Sequence, residues 1–376
     1  MPNLTRIPPE IVEEILVLLP NKSIHRFRSV SRSWSSLLVS GRFHELRCKS
    51  APPETKVTKV LHLASSDYYI RDVIRISDYR DDVKPGTKLY TPDLLPLSNP
   101  FVGSCNGLVC LLLDYCSREI VVWNPFTGVY RKLPNISGRG WAYTYGFGYV
   151  STSDDYKVLL HSLVPAPGGE PMFDIISLKT GSWKQVENPD DTYQQHKEGS
   201  GLFLNGALHW ESSTYFDKKI IAFDLTKEKF YGVPKPTPDY NYRYHRLGVA
   251  GEYLCMCFLV RRCQESNIVW VMKEYCNEAS WVPFISYTSF ESDNAFNYVN
   301  YASNFVPHSV LDGGYMVLQY SDGYADILTW NNNHEESDSA QEFFNNIKFY
   351  RHYERATPYK EALTSPYAST EMDQGF

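Results

Sequence analysis

Four aromatic residues, Tyr130, Trp183, Phe230 and Trp281, recur at intervals of 53, 47 and 51, each after a turn and at the head of a short strand pattern. Around them the same four-part unit repeats. One copy reads GLVCLLLD, REIVVWNP, a turn at Phe126-Thr127-Gly128, then VYRKLP, and the next reads YKVLLHSLV, MFDIISL, a turn at Lys179-Thr180-Gly181, then SWKQV. Later copies carry NGALHW, IIAFDL and KFYGVP, then EYLCMCFLV, IVWVMKEY and SWVPF. A period of this length with about four strands per unit predicts a radial array, a β-propeller or a close relative, rather than one sandwich. Counting predicts about six units, over residues 57 to 97 and then from near Pro100, Ala142, Ser200, Arg246 and Ser303. The first unit is one strand short. The C-terminal run Asn346 to Tyr353 could supply that strand or serve as the last strand of the sixth unit, and pairing between the chain's two ends is expected because an open array exposes apolar edges.

In an up-and-down unit, the first-to-second and third-to-fourth turns share one face and the other connections share the opposite face. The first set is short: Cys105 to Gly107, Asn124 to Gly128, Ser151 to Asp155, Lys179 to Ser182, Asn205-Gly206. The second set is long and rich in aromatic or charged residues: Asn135 to Trp141, Pro165 to Pro171, Glu187 to Gly199, Pro234 to Tyr244, Arg261 to Asn267, Thr288 to Ala302. Long loops on a rigid scaffold are where recognition usually lies, which makes Trp141, Tyr193, Tyr240, Tyr242, Tyr244 and Tyr298 candidate substrate anchors.

Ahead of the repeats, Ile7 to Phe43 has helical periodicity. A helix is predicted to start near Pro9, with Glu10, Glu13 and Glu14 toward its positive end, and to stop at Pro20. It carries two apolar stripes, Ile11/Ile15/Leu18 and Val12/Leu16/Leu19, too much apolar surface for one partner. Two shorter helices are predicted, Ser23 to Val30 and Ser33 to Val39, the latter stopped by Gly41. So small a module leaves some of this surface for another domain or protein.

This stretch resembles the F-box of plant F-box proteins: Ile7-Pro8 before Glu10-Ile11, Glu14-Ile15-Leu16, Leu19-Pro20 before Lys22-Ser23-Ile24, Arg26-Phe27-Arg28 before Val30, Ser33-Trp34 and Phe43. It departs at Pro9, where an acidic residue is usual, and at Ser31-Arg32, where Cys-Lys is common. The remainder resembles the plant F-box-associated domain, a kelch-like family. Its landmarks are Gly103 to Val109, Val122-Trp123-Asn124-Pro125 with Thr127-Gly128, Tyr145 to Tyr149, Tyr156-Lys157-Val158, Asn205-Gly206 with Leu208-His209-Trp210, Ile268 to Met272 and Tyr359 to Leu363. The resemblance implies binding to a Skp-type adaptor and through it to cullin and a RING subunit, with an unknown protein substrate held by the β domain. The main adaptor contacts would include Ile7, Pro8, Ile11, Leu16, Leu19, Pro20, Ile24, Val30 and Trp34, while Ile15 and Phe27 pack internally. An adaptor-binding protein without ligase output, and a kelch-like enzyme, are the alternatives.

The expected organisation is an α+β multidomain chain: a helical module over 4–46, a linker over 47–56, an all-β, roughly six-bladed propeller-like (kelch-like) domain over 57–356, and a tail over 357–376. Residues 1–49 hold eight Lys/Arg against four Asp/Glu, leaving 29 against 39 for the rest, and an acidic remainder disfavours binding to a phosphate backbone. Neither a signal-like apolar region nor a long apolar run is present, so an intracellular protein of the cytoplasm or nucleus is expected, without membrane contact. Without a secretory route, the glycosylation-like triplets starting at Asn3, Asn21 and Asn135 read as accidental.

No cofactor, metal or catalytic residue is expected. Cys105, Cys110 and Cys116 lack a zinc spacing, and Cys255 and Cys257 read as buried on one strand face. Gly103-Ser104-Cys105-Asn106-Gly107 matches a nucleophile elbow with cysteine in the serine's place, but the following LVCLLLDY reads as strand where an elbow needs a helix. Gly146-Phe147-Gly148 lacks the third glycine of a dinucleotide fingerprint, and His209 beside Trp210 reads as a hydrogen-bonded structural histidine.

Overall fold

A computed structural model describes residues 8–19, 21–50, 58–64, 73–78, 87–88, 101–114, 119–136, 141–163, 172–187, 199–211, 219–237, 244–250, 252–259, 266–288, 306–311, 315–319, 324–329, 348–360 and 362–367, and among these described residues the chain folds as four short α-helices followed by twenty-three strands, with one 3-10 turn at Glu278–Ser280. The helices are α1 (Pro9–Val17), α2 (Asn21–Phe27), α3 (Arg32–Val39) and α4 (Gly41–Ser50). The side chain of Ser31 caps α3 by accepting from the Trp34 amide at 3.1 Å. At the end of α1 no basic residue lies in the last turn; instead Arg47 reaches across from α4 and donates to the carbonyls of Val17 (2.9 Å) and Leu19 (2.7 Å). A guanidinium there satisfies carbonyls that the helix leaves open and complements its negative end.

α3 ends at Val39, as expected, but a fourth helix that was not expected opens at Gly41, and it continues to Ser50 where the linker was to start at 47. The glycine at this boundary serves packing: a Cβ on Gly41 would lie 2.4 Å from Tyr149 Cε2 and 2.7 Å from the Tyr156 hydroxyl, both in the β domain.

The strands form six four-stranded units among the described residues. After β1 (Thr58–Ala64), β2 (Val73–Asp78) and β3 (Thr87–Lys88) come four complete units. The first of these is β4 (Phe101–Cys105), β5 (Leu108–Asp114), β6 (Glu119–Trp123) and β7 (Tyr130–Lys132). The next is β8 (Trp141–Val150), β9 (Asp155–Leu163), β10 (Met172–Ser177) and β11 (Trp183–Val186). It is followed by β12 (Gly199–Leu204), β13 (Ala207–Trp210), β14 (Lys219–Asp224) and β15 (Lys229–Pro234). The last complete one is β16 (Tyr244–Ala250), β17 (Tyr253–Leu259), β18 (Ser266–Met272) and β19 (Trp281–Thr288). Then come β20 (Val306–Leu311), β21 (Tyr315–Gln319), β22 (Tyr324–Thr329) and the long β23 (Lys348–Lys360). Inside each unit neighbours are antiparallel, while first strands of successive units run parallel, β8 beside β12 and β16 beside β20.

Of the two roles open to the run Asn346 to Tyr353, it fills the second, as the last strand of the sixth unit, and the first unit's missing strand comes from the residues that follow it in the same long β23. Its first half, through Glu354, pairs with β22, and its second half, Glu354 to Lys360, pairs with β1. The N- and C-terminal parts of the domain are thereby stitched into one curled, propeller-like sheet. The tail boundary expected after residue 356 falls inside this strand, and the chain remains packed to Tyr367.

Successive units stack face to face, which explains the near-continuous apolar runs. In β5, Leu108, Cys110 and Leu112 face Tyr145, Phe147, Val158 and Leu160 of the next unit, while Val109, Leu111 and Leu113 face Leu61 and Tyr359 of the closing one. A strand buried on both faces loses the polar alternation of a half-exposed strand. The recurrent aromatics stand at the first residue of the outer strands β7, β11 and β19 and at the second residue of β15. The two tryptophans do the same work: Trp183 donates from Nε1 to the Pro134 carbonyl (2.6 Å), and Trp281 to the Pro234 carbonyl (3.0 Å), each reaching the previous unit.

Candidate functional site

α1 shows how its two stripes divide. Leu16 (1% exposed) and Val17 are buried with Ile24 (3% exposed), Leu38, Val39 and Phe43, and Val12, Leu19, Phe27 and Trp34 pack at the margin. The other stripe faces outward: Ile11 is 43%, Ile15 50% and Leu18 53% exposed, and Val30, after α2, is 57% exposed. Exposed aliphatics at successive turns of one short helix make an apolar strip of the kind that marks a protein contact.

Against the expected adaptor contacts, the placement is mixed. Pro8, Ile11 and Val30 are exposed, and Leu19 and Trp34 are half-buried. Leu16 and Ile24 instead form the inside of the module, because α3 and α4 close over the stripe that contains Leu16. Ile15, expected inside, lies outside, and Leu18 joins it unforeseen. Phe27 is packed edge-on against Trp34, with ring centroids 5.7 Å apart. Ile7 and Pro20 lie outside the described residues. The signal for the correct division was the stripe itself; what sequence lacked was α4, which decides the stripe that is covered.

The module is mounted on the short-turn face of the β domain. The Arg42 amide donates to Asp154 Oδ1 (3.1 Å) in the β8–β9 turn, and the Tyr149 hydroxyl donates to the same oxygen (2.8 Å). Burial and that contact with Asp154 both hold the Tyr149 phenol well above its ordinary pKa, so it stays a donor. On the β4–β5 turn, Gly107 at φ +79° lies under Ala362, whose Cβ would be 2.4 Å from a Cβ added there. Asn124, at the β6–β7 turn, donates from Nδ2 to the carbonyls of Ala362 (2.9 Å) and Thr364 (2.7 Å). Its Oδ1 accepts from the amides of Phe126 (2.9 Å) and Thr127 (3.2 Å), forming the Asx turn that Asn-Pro-x-Thr-Gly encodes. Family landmarks that read as scaffold turns thus also seat the end of the chain.

Among the candidate substrate anchors, Tyr193, Tyr240, Tyr242 and Tyr298 lie outside the described residues, and the side chains of Trp141 and Tyr244 do as well. The backbone places Trp141 and Tyr244 at the first residues of β8 and β16. Trp141 is therefore separated from the β8–β9 turn, where α4 docks, by the length of a ten-residue strand, about 30 Å.

The cysteine elbow has strand on both sides of its turn, β4 and β5. Cys105 and Cys110 are buried, and burial pushes the Cys110 thiol far up, away from nucleophilic thiolate. Among the described residues no group of three or more His, Cys, Asp or Glu side chains is placed to hold a metal, and no helix is long and apolar enough to cross a membrane.

Comparison with known proteins agrees with this two-part build. Residues 4–46 match the F-box domain, and residues 70–333 match the F-box associated beta propeller domain. An F-box/kelch-repeat protein of Arabidopsis thaliana is 28% identical over 301 residues, covering 74% of this chain and 79% of that one. A second Arabidopsis thaliana F-box protein is 29% identical over 309 residues, covering 74% and 72%. The Arabidopsis thaliana F-box protein CPR1 is 26% identical over 329 residues, covering 78% and 76%.

Proposed function

The chain belongs to the F-box associated β-propeller family of plant F-box proteins, built for substrate recognition, and from that premise we propose that it is the substrate receptor of a Skp-cullin-F-box ubiquitin ligase. The observation that carries this reading is the outward stripe Ile11–Ile15–Leu18 on a module whose other apolar stripe is already used as core. A Skp-type adaptor covers that stripe and, through cullin and a RING subunit, brings a charged ubiquitin-conjugating enzyme. The face that carries the long loops takes a protein substrate.

In this mechanism the receptor contributes no reacting group. Holding the substrate beside the conjugating enzyme turns an encounter in solution into one within a complex, raising the effective concentration of the substrate lysine. The same reading places the protein in the cytoplasm, the nucleus or both, where this machinery acts.

The test separates contact from core. Ile15→Asp with Leu18→Asp should weaken capture by a purified plant Skp-type adaptor at least 100-fold while the helical content and thermal transition stay as in the parent, since both side chains are half-exposed. Leu16→Ala with Leu19→Ala should also abolish capture, but by loosening the module, because truncating a buried leucine costs about 2–5 kcal/mol. Undiminished capture by the Ile15/Leu18 pair would overturn the assignment of that stripe.

A further inference from the structure

Past the end of β23 the chain leaves the sheet, and its last described stretch, Ala362 to Tyr367, touches both parts of the molecule by alternation. Ala362 and Thr364 turn to the β domain: both carbonyls accept from the Asn124 side-chain amide, and Ala362 lies on Gly107. Leu363 turns the other way and is buried with Leu16, Leu38, Val39 and Phe43 of the helical module. The Ser365 amide then donates to the Val39 carbonyl (3.3 Å), at the end of α3. Beyond it the Tyr367 hydroxyl donates to the Tyr130 carbonyl (3.1 Å), with the Arg131 guanidinium 5.4 Å from the Tyr367 ring.

The helices meet the β domain directly at Gly41 and Arg42, where Tyr149, Tyr156 and Asp154 lie. Contacts at these neighbouring residues leave a small module some freedom to turn about them. Leu363 and Ser365 add a second set beside the first, on Val39 and Phe43 and reaching Leu16 and Leu38 inside the module, and so restrict that turning.

We propose that residues Ala362–Tyr367 are a lock: the end of the chain clamps the helical module to the short-turn face and fixes the direction of its exposed stripe relative to the long-loop face. The lock itself rests on the geometry alone; its consequence, a set distance between adaptor and bound substrate, rests on the receptor reading. A rigid receptor presents a limited set of lysines to the conjugating enzyme, whereas a pivoting one presents many, at lower effective concentration.

The experiment measures orientation first. Fluorophores are introduced through non-natural residues at Ser36, exposed on α3, and Lys184, exposed on β11, in the full chain. Single-molecule energy transfer should give one narrow population. A chain ended after Glu361 should give a broad one, with the thermal transition of the β domain retained because β23 ends at Lys360. Leu363→Asp, which keeps the whole chain but drives its side chain out of the helical core, should broaden it likewise and decides the matter if the truncated chain aggregates. A broad population in the parent, or a narrow one in both variants, would overturn the lock. Adaptor capture is measured on the same three proteins: capture by none of them would defeat the receptor reading, while the width of the energy-transfer populations would still decide whether the lock exists.

Discussion

Deleting residues 343–376 is expected to abolish the cooperative thermal transition of the β domain, or to lower its midpoint by more than about 10 °C, in calorimetry of the purified chain. The reason is that β23 is an inner and an outer strand at once. Its first half completes the unit of β20 to β22, and its second half opens the unit of β1 to β3. Removing it strips the hydrogen-bonding partner from two strands and takes fully buried Tyr359 away from Leu61, Phe101 and Trp123. With domains held by a margin of about 5–15 kcal/mol, loss of a strand that pairs on both sides exceeds what the remainder can absorb. The chain ended after Glu361 is the internal control, since it differs only in keeping β23. An unchanged transition on deleting 343–376 would mean that closure does not depend on this strand.

Closure is half visible in the sequence. A short first unit and a β-rich C-terminal run point to pairing of the ends, but the strand pattern fades after Tyr353, because Arg355 and Pro358 break the apolar alternation. Proline lacks an amide donor and reads as a strand terminator. In the structure Pro358 sits opposite Val60 within β23, and the strand continues through it to Lys360. The four outer-strand aromatics are legible because each follows a turn and stands at the start of the outer strand in four successive units. What they do is not legible: that Trp183 and Trp281 bond to the carbonyl of a proline about one unit earlier is a contact between units, which no local pattern encodes.

The helical module shows the opposite balance. Periodicity alone gives both stripes of α1 correctly, yet assigning one to the core requires knowing what packs on it. α4 is hard to see because GRFHELRCKS begins with a glycine and has little apolar periodicity. Its place in the module rests on Phe43, buried on the core side, and on Arg47, which serves the carbonyls of α1. The seat for Ala362–Tyr367 is hidden for a related reason. Gly107 and Asn124 are sufficiently explained by their own turns, so nothing in the sequence asks for a second role.

His209 should make the β domain acid-sensitive in a narrow window. Its ring lies fully buried on β13, where Nδ1 donates to the Leu202 carbonyl (3.1 Å) and Nε2 accepts from the Tyr275 hydroxyl (2.6 Å), which in turn accepts from the Tyr231 hydroxyl (2.5 Å). With a carbonyl on one side and a phenol on the other, the neutral ring satisfies both nitrogens, and protonating it would place a charge with no counter-ion in a fully buried site. Burial accordingly lowers its pKa to about 4 from the ordinary 6.5. The sign follows from where each state takes up its proton. The unfolded chain protonates His209 near pH 6.5, the folded one not until about 4, so stability is at its full value above that window and is lost as pH falls through it. At about 1.4 kcal/mol per pH unit for one proton, the loss reaches about 3 kcal/mol by pH 4. Carboxylates titrate in the lower part of the same range, so the quantity to measure is the difference between the parent and His209→Gln in urea unfolding at about pH 7, 6, 5 and 4.5. The parent should lose stability faster than the variant at every step below about pH 6.5. Parallel pH profiles for the two would show that the folded protein accepts the proton on His209 as readily as the unfolded chain does.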